Sequence, residues 1–157
     1  MKKILLLLAL IASLATSSLA LTVGYESGMP YLRFGSIANG TVDLGFSSDN
    51  TLNGTYNDNS VMVRFNKEIS KINSLKLGWA LELLANRYFS SWNGAPETTL
   101  TYSGLFTAEY AFSEQVGVYA NFDLISYQKT ELSGANTAAL AFLAAPGSTF
   151  TGVRFYF

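Results

Sequence analysis

The chain has 157 residues, of which ten are Lys or Arg and eleven are Asp or Glu, and its formal net charge of −1 gives no basis for nucleic-acid binding. It contains no Cys and no His, which excludes a disulfide framework, a thiolate metal site and the commonest general base. Only 13% of the residues are charged and 14% are aromatic, whereas soluble domains carry about 25% charged residues, so this composition suits apolar surroundings.

The first segment of the chain has the three-part layout of a secretory signal peptide. It begins with two lysines after Met1, continues with an apolar run over residues 4–14 and ends in a Ser-x-Ala pattern. The apolar run is shorter than the about 20 residues that a membrane-spanning helix needs. We therefore expect residues 1–20 to be cleaved on export and residues 21–157 to form a single domain.

After residue 20 the sequence alternates between apolar and polar residues with a period of two, which indicates β-strands. The clearest example has Leu77, Trp79 and Leu81 on one face, opposite Lys76 and Glu82. The alternation predicts an all-β fold with eight strands: 21–27, 30–36, 41–48, 59–67, 74–89, 98–112, 115–129 and 149–157.

The predicted connections alternate between short turns and long loops. The short ones cover 37–40, 68–73 and 113–115. The long ones are rich in Gly, Asn, Ser and Thr and cover 49–58, 90–97 and 130–148. The link at Gly28-Met29 breaks this alternation, because it is short where the pattern requires a long loop. An even number of strands with short turns on the side of the chain ends is the topology of an outer-membrane barrel.

Two features of the connections have alternative interpretations. A second strand count joins 21–36 into one strand and makes 136–145 a strand, and it would place the longer loops on the periplasmic side. Residues 136–145 could equally form a helix stopped by Pro146, or a strand that pairs with 149–157. The oxygen-rich segment around 49–58 matches no calcium-binding loop, so a solvated turn is expected there and no metal site is predicted.

Nine charged residues within the predicted strands lie opposite the Leu, Val and Phe face. A lipid-embedded barrel turns its apolar face outward, because an Arg or Lys near the middle of the lipid face costs about 2–4 kcal/mol. An eight-stranded barrel is just wide enough for side chains to fill it, and buried charges must pair. We therefore predict a packed interior charge network, with a narrow wet passage or ligand cavity as the alternative. Its members are Glu26, Arg33, Asp43, Arg64, Lys76, Glu82, Glu109, Asp123 and Arg154.

Aromatic residues cluster near the predicted strand ends, as expected for two girdles at the membrane interfaces. The periplasmic rim would contain Phe34, Phe65, Tyr110, Phe112, Phe155 and Phe157. The outer rim would contain Tyr25, Tyr31, Phe46, Phe89, Trp92 and Tyr102. Trp79 lies deeper and fits neither girdle.

The signal peptide, the eight-strand pattern and the terminal strand together resemble the small eight-stranded bacterial outer-membrane barrels, the class of OmpX and the OmpA membrane domain. The most specific part is the end of the chain, where Gly152, Phe155 and Phe157 occupy the positions of the carboxy-terminal signal that the barrel-assembly machinery reads. The resemblance implies an outer-membrane location, contact with outer-membrane lipids and assembly by that machinery. It does not imply one activity, since small barrels have many functions.

The sequence offers no catalytic constellation. Outer-membrane barrel enzymes resemble one another in placing a His at the reacting centre, and Ser with a carboxylate but no base is not a convincing nucleophile. Lys76 is interpreted as an interior ion-pair partner. We therefore predict a structural or interaction barrel, without enzymatic activity or cofactor, whose outer loops contact an extracellular ligand. The alternatives are a narrow porin-like channel and a soluble, secreted lipocalin-like barrel, which would enclose an apolar ligand with its Leu and Phe side chains.

Overall fold

The computed structural model describes residues 22–37, 40–50, 56–90, 95–132, 135–142 and 149–156. The regular elements in these ranges are nine strands: β1 (Thr22–Glu26), β2 (Met29–Ile37), β3 (Gly40–Asn50), β4 (Tyr56–Ile72), β5 (Leu75–Ser90), β6 (Glu97–Ala111), β7 (Val116–Leu132), β8 (Ala135–Phe142) and β9 (Thr149–Tyr156). No helix in these ranges is long and apolar enough to cross a membrane.

Eight of these strands close into an antiparallel barrel. Strands β1 to β7 pair with one another in chain order, and β9 pairs with both β7 and β1. The predicted all-β fold class and the eight-stranded antiparallel barrel are thereby confirmed. The ninth strand, β8, lies outside this ring and pairs with β7.

The barrel closes with a large stagger between its strands. One ring of paired positions runs through Gly117, Arg154, Gly24, Tyr31, Gly45, Met62, Leu84, Thr101 and Gln128. This ring starts at residue 117 of β7 and returns to the same strand at residue 128, which is 11 residues further on. Such a stagger requires the strands to tilt relative to the barrel axis, typically by about 35–45°.

The segment between 130 and 148 differs most from the predicted loop. β7 continues to Leu132, and the chain then returns as β8. β8 pairs with the second half of β7, from Ile125 to Leu132, whereas β9 pairs with the first half. Residues 136–142 are therefore a strand and not a helix, and their partner is β7 and not 149–157.

The other two predicted loops are also shorter than expected. Within 49–58 the strands continue to Asn50 and resume at Tyr56, and within 90–97 they include Ser90 and Glu97. Asp49 and Asp58 are directly opposed across β3 and β4. The composition of these residues predicts a loop. They form strands because the apolar part of each hairpin is already paired, and extending that pairing satisfies their backbone hydrogen-bonding groups. Tertiary context of this kind overrides strand propensity.

The turns at the two ends of the barrel are tight where the chain permits positive φ. Ser27 and Gly28 have φ values of 47° and 89° and join β1 to β2 directly, so the short link at Gly28-Met29 is a two-residue turn. At the opposite end β4 runs on to Ile72, and Asn73, with φ of 54°, begins the turn. The predicted connection 68–73 is thus almost entirely strand.

Candidate functional site

The charged side chains of the strands gather inside the barrel. The nine residues predicted for the interior network fall into two groups by exposure. Five are buried: Glu26, Asp43, Arg64, Glu109 and Arg154. Four are partly buried: Arg33, Lys76, Glu82 and Asp123. Several are directly opposed across neighbouring strands, and opposed residues share one face of the sheet. These pairs are Arg33 with Asp43, Asp43 with Arg64, Arg64 with Glu82, and Lys76 with Glu109.

The first cluster is centred on Arg64, which is 1% exposed. Its Nη1 and Nη2 donate to the two carboxylate oxygens of Glu26, each at 2.7 Å, and its Nε donates to Glu82 at 2.7 Å. The Tyr119 hydroxyl also donates to Glu26 at 2.5 Å, and the Asn121 amide does so at 3.1 Å. Glu26 is therefore held by a bidentate ion pair and by two neutral donors.

The second cluster is centred on the Glu109 carboxylate, which is approached by four donor side chains from three other strands. Lys76 Nζ donates to it at 3.1 Å and the Tyr156 hydroxyl at 2.6 Å. Arg33 Nη1 lies 3.4 Å from it, and Arg154 Nη1 forms a further ion pair with it. The Glu109 carboxylate thus forms ion pairs with three cations.

Asp43 joins the two clusters and is completely buried. It accepts hydrogen bonds from Arg33 Nε and Nη2 at 2.6 and 2.9 Å, and from Asn66 Nδ2 at 3.0 Å. Arg154 Nη2 lies 3.8 Å from it and Arg64 Nη1 lies 3.9 Å from it. The interior charges therefore form one connected network across the middle of the barrel.

Two tyrosines complete this network, and one of them corrects a prediction. Tyr31 was expected at the outer aromatic rim, but it is 2% exposed and accepts a hydrogen bond from Arg154 Nε at 2.7 Å. The Arg154 guanidinium also lies 3.8 Å from the centre of the Tyr119 ring. Tyr31 is two positions from Arg33, so the period of two turns both side chains to the same face.

Sequence reasoning missed further neutral members of the network, although a signal for them was present. Asn66 is two positions from Arg64, and Tyr119 and Asn121 continue the polar face of Asp123. Polar side chains that point to the same face of a strand as buried charges can hydrogen-bond those charges. Asn121 is completely buried and Tyr119 is 3% exposed.

Asp123 is the one predicted member that forms no ion pair within the described parts of the chain. The Ser103 hydroxyl hydrogen-bonds its carboxylate, while its Oδ1 atom is buried with no partner among the described residues. The register shift between Gly104 and Leu105 lies next to Asp123 and leaves Leu124 as an extra residue in β7. The network therefore has five carboxylates for four cations.

Two open cavities flank the network, and their linings have opposite charge. The cavity at the end where β4 turns into β5 has a volume of about 250 Å³. Its lining includes the side chains of Arg33, Lys76, Arg154, Glu68 and Glu109, while Lys67, which pairs with Trp79 on the outer face, contributes its backbone. The cavity at the opposite end has a volume of about 310 Å³ and is lined by Glu26, Asp58 and Glu82 against Arg64. The side chains that line the first cavity thus carry a net charge of +1, and those that line the second carry a net charge of −2. The ion-paired side chains lie between the two cavities.

The aromatic residues predicted for the girdles mostly lie on the outer surface. Four of them are about half exposed or more: Tyr25, Tyr102, Tyr110 and Phe112. Phe34 and Phe65 are partly exposed. The Phe65 ring lies 5.8 Å from the Trp79 ring, which places Trp79 level with a residue assigned to the girdle. Trp92 lies outside the described residues.

The residues of the predicted assembly signal have separate positions in β9. Phe155 points outward and is 44% exposed. Gly152 faces inward opposite Tyr119, and a Cβ atom at this position would overlap the Tyr119 ring and the backbone oxygen of Tyr25. Glycine is therefore required there by packing alone. Phe157 lies outside the described residues.

No group of three or more potential metal-ligating Asp or Glu side chains has suitable geometry in the described ranges. The interior arrangement of guanidinium, ammonium, carboxylate and phenol groups is suited to rigid ion pairing. Comparisons of the chain with protein-family models, with curated proteins and with solved structures give no match.

Proposed function

We propose that the protein is a small outer-membrane β-barrel that acts as a structural or interaction protein, with a closed, salt-bridged interior. The observation that carries this proposal is the polarity of the barrel, which has buried charges inside and large apolar side chains outside. In a membrane this arrangement satisfies every backbone group through strand pairing and presents apolar atoms to lipid.

Each strand of the barrel contributes at least one large exposed apolar or aromatic side chain to the outer surface. Examples in chain order are Tyr25, Leu32, Phe46, Val63, Leu81, Tyr102, Phe122 and Val153. Leu81 and Phe46 are 58% and 56% exposed. The largest apolar patch of a soluble monomer is about 300–600 Å², and a belt around the whole barrel exceeds what such a protein leaves in contact with water. A lipid environment removes this cost.

The same polarity argues against the lipocalin-like alternative. A soluble barrel of that kind lines its cavity with apolar side chains and exposes its charges to water. Here Leu81 points outward while Arg64 and Asp43 are 1% and 0% exposed. An apolar ligand inside the barrel would have to displace paired charges and leave them desolvated, which is strongly unfavourable.

The connected network also favours a closed interior over a channel. The two cavities are separated by side chains that are held on several sides, as Asp43 is by Arg33 and Asn66. A conducting path would require these ion pairs to separate. We expect the barrel to be non-conducting under resting conditions.

The surface proposed for contact with an extracellular partner lies at the end opposite the β4–β5 turn. The described strand ends within the predicted ligand-binding segments 49–58, 90–97 and 130–148, which include Asn50, Ser90 and Leu132, lie at this end. The hairpin of β7 and β8 extends there, and all eight residues of β8 are exposed. A projecting hairpin on a rigid barrel offers a large contact surface. In this proposal residues 1–20 direct export and are removed.

The first experiment is expression of the whole chain in a Gram-negative host, followed by isolation of the outer-membrane fraction. We expect the protein in that fraction, with a mobility on SDS gels that changes on boiling, because a closed barrel resists SDS until it is heated. A variant without residues 2–20 is the matched control and should remain in the cytoplasm. A soluble periplasmic product without a mobility shift would contradict the proposal.

Reconstitution into a planar bilayer separates the two membrane functions. The proposed closed barrel gives no steady conductance. A stable conductance of the unmodified protein would favour the channel, and ion selectivity would then identify which cavity limits the flow.

A further inference from the structure

We propose that the free edge of β8 binds an extended segment of another polypeptide, which adds to the sheet as a further strand. This inference rests on the proposed function and deepens it, because it names the class of partner that the projecting hairpin of β7 and β8 would bind. Recognition would depend on backbone hydrogen bonds, as it does wherever a peptide joins the exposed edge of a sheet.

Among the described residues, β8 has a strand partner on one side only. It pairs with residues 125–132 of β7, and the opposite side of these β7 residues is occupied by β6. The other edge of β8, from Ala135 to Phe142, pairs with no described strand. Along this edge every second residue directs its backbone N–H and C=O groups away from β7. A row of unpaired backbone groups is a template on which another strand can form.

The free edge of β8 faces a gap in the described wall of the barrel. β8 and β9 both lie beside β7 on the side away from β6, so β8 continues the position of β9 beyond the turn that joins β1 to β2. On the far side of the gap, residues 46–50 of β3 extend past the last pair that β3 forms with β2. Since β1 and β2 separate β3 from β9 in the ring, the gap is three strand spacings wide, or about 14 Å. An additional strand fits within it.

β8 lacks the features that prevent pairing at an exposed edge. Natural edge strands are protected by charged residues, by proline or by bulges. β8 contains no charged residue and no proline, and its pairing with β7 has no register shift. Leu140 and Phe142 are 57% and 66% exposed and share one face of the strand, whereas the other face carries small residues such as Ala139 and Ala141. The bound segment should therefore carry apolar side chains at alternate positions.

The tilt of the strands argues against a second copy of the chain as the occupant. Two barrels in one membrane have the same orientation, so their β8 edges would meet across an axis that runs along the membrane normal. The strands tilt by about 35–45° from the barrel axis, and the two edges would therefore cross at about 70–90°, which is twice the tilt. Neighbouring strands of a sheet are rotated by only about 20–25°, so the two copies cannot form a ladder. A flexible extended segment can adopt the direction that β8 requires.

The test uses the full chain, expressed with isotope labelling in a Gram-negative host and purified in maltoside micelles from whichever fraction contains it. Exchange of the β8 amide protons with water is first measured without a ligand. We expect alternation along β8, in which the amides that face β7 exchange slowly and the amides between them exchange rapidly. Slow exchange of all β8 amides at every protein concentration would mean that another part of the chain covers the edge. Slow exchange that develops only at high protein concentration would identify a second copy as the occupant, and either result would overturn the proposal.

The probe is a synthetic peptide with the sequence of residues 125–132, because β8 already accepts this strand on its other side. In the barrel its Ile125 and Tyr127 oppose Phe142 and Leu140. We expect saturable binding that slows the rapidly exchanging β8 amides at least about tenfold. The matched control is the same peptide with N-methyl groups on its central residues, which keeps the side chains but removes the backbone donors and should not bind. Absence of added protection, or equal binding of the two peptides, would overturn the proposal.

A proline substitution in β8 tests the edge from the side of the protein. Of the neighbouring residues Ala138 and Ala139, one N–H faces β7 and the other faces the gap, and the exchange rates identify the second. Proline is tolerated in an edge strand where the N–H faces solvent. At that position, Ala138→Pro or Ala139→Pro should weaken peptide binding at least about tenfold, because a backbone donor is lost and the ring obstructs the added strand. Ala95→Pro, in the connection between β5 and β6, should leave binding unchanged, and equal binding by the two proline variants would overturn the proposal.

The mobility of the same samples on SDS gels separates this proposal from the proposed function. A chain with heat-modifiable mobility that does not bind the peptide would refute the edge site and leave the outer-membrane barrel unaffected. A soluble chain without a mobility shift that still binds the peptide at β8 would contradict the proposed function and support the edge site.

Discussion

Replacing Arg64 with leucine would leave Glu26 and Glu82 buried without the counter-ion that they share. The guanidinium makes three hydrogen bonds to these carboxylates, each 2.7 Å long. Arg64 is 1% exposed and the side chains of both partners are less than a tenth exposed. Water therefore cannot replace the lost contacts unless the barrel opens.

The expected loss follows from the cost of an uncompensated buried charge. Removing one partner of a buried ion pair costs about 3–5 kcal/mol, even though the intact pair contributes little net stability compared with apolar residues. Each factor of ten in the unfolding equilibrium corresponds to about 1.4 kcal/mol. We therefore expect Arg64→Leu to lower the free energy of unfolding by about 3–5 kcal/mol, a change of about two to three and a half orders of magnitude.

The assay is urea-induced unfolding of residues 21–157 in lipid vesicles, followed by tryptophan fluorescence. Arg87→Leu is the matched control, because it makes the same change at an exposed position of β5. Substitutions at such positions usually change stability by less than about 0.5 kcal/mol. The charge mechanism also predicts rescue: adding Glu26→Gln and Glu82→Gln to Arg64→Leu should recover at least half of the loss.

Two results would refute this reasoning. One is a loss of less than about 1 kcal/mol for Arg64→Leu, which would mean that water or a rearranged cation reaches the carboxylates. The other is a triple variant that is less stable than Arg64→Leu, which would mean that the packing of the guanidinium, and not its charge, carries the effect.

Three further predictions use the same unfolding assay or the fractionation described above. Asp123→Asn should leave the free energy of unfolding unchanged or raise it slightly, because this carboxylate has no ion pair in the described chain. Asp43→Asn should lower the free energy of unfolding by at least about 3 kcal/mol. Equal effects of the two variants would contradict the network. Gly152→Ala should cost about 1–3 kcal/mol by overlap with Tyr119, and a neutral result would mean that the strand relaxes. Leu81→Arg should deplete the outer-membrane fraction, since an Arg on the lipid face costs about 2–4 kcal/mol; normal membrane recovery would argue against lipid contact at this position.

The sequence by itself determined which residues share a face of the sheet. Successive side chains of a strand point to opposite sides, so the alternation of apolar and charged residues places Leu81 and Glu82 on different faces whatever the rest of the chain does. The number of barrel strands followed from the same pattern. Tyr31 is buried, and not at the predicted outer rim, because it lies two residues from Arg33 and therefore on the inward face.

The tertiary structure alone decided which charges meet. Arg64 and Glu26 are 38 residues apart, and Tyr119 and Glu26 are 93 residues apart. Their contacts depend on the stagger with which the barrel closes, and a local pattern with a period of two is compatible with many staggers. The same holds for β8, whose uncharged residues are compatible with a helix as well as with a strand. The strand forms because the half of β7 that does not pair with β9 has backbone groups that need partners.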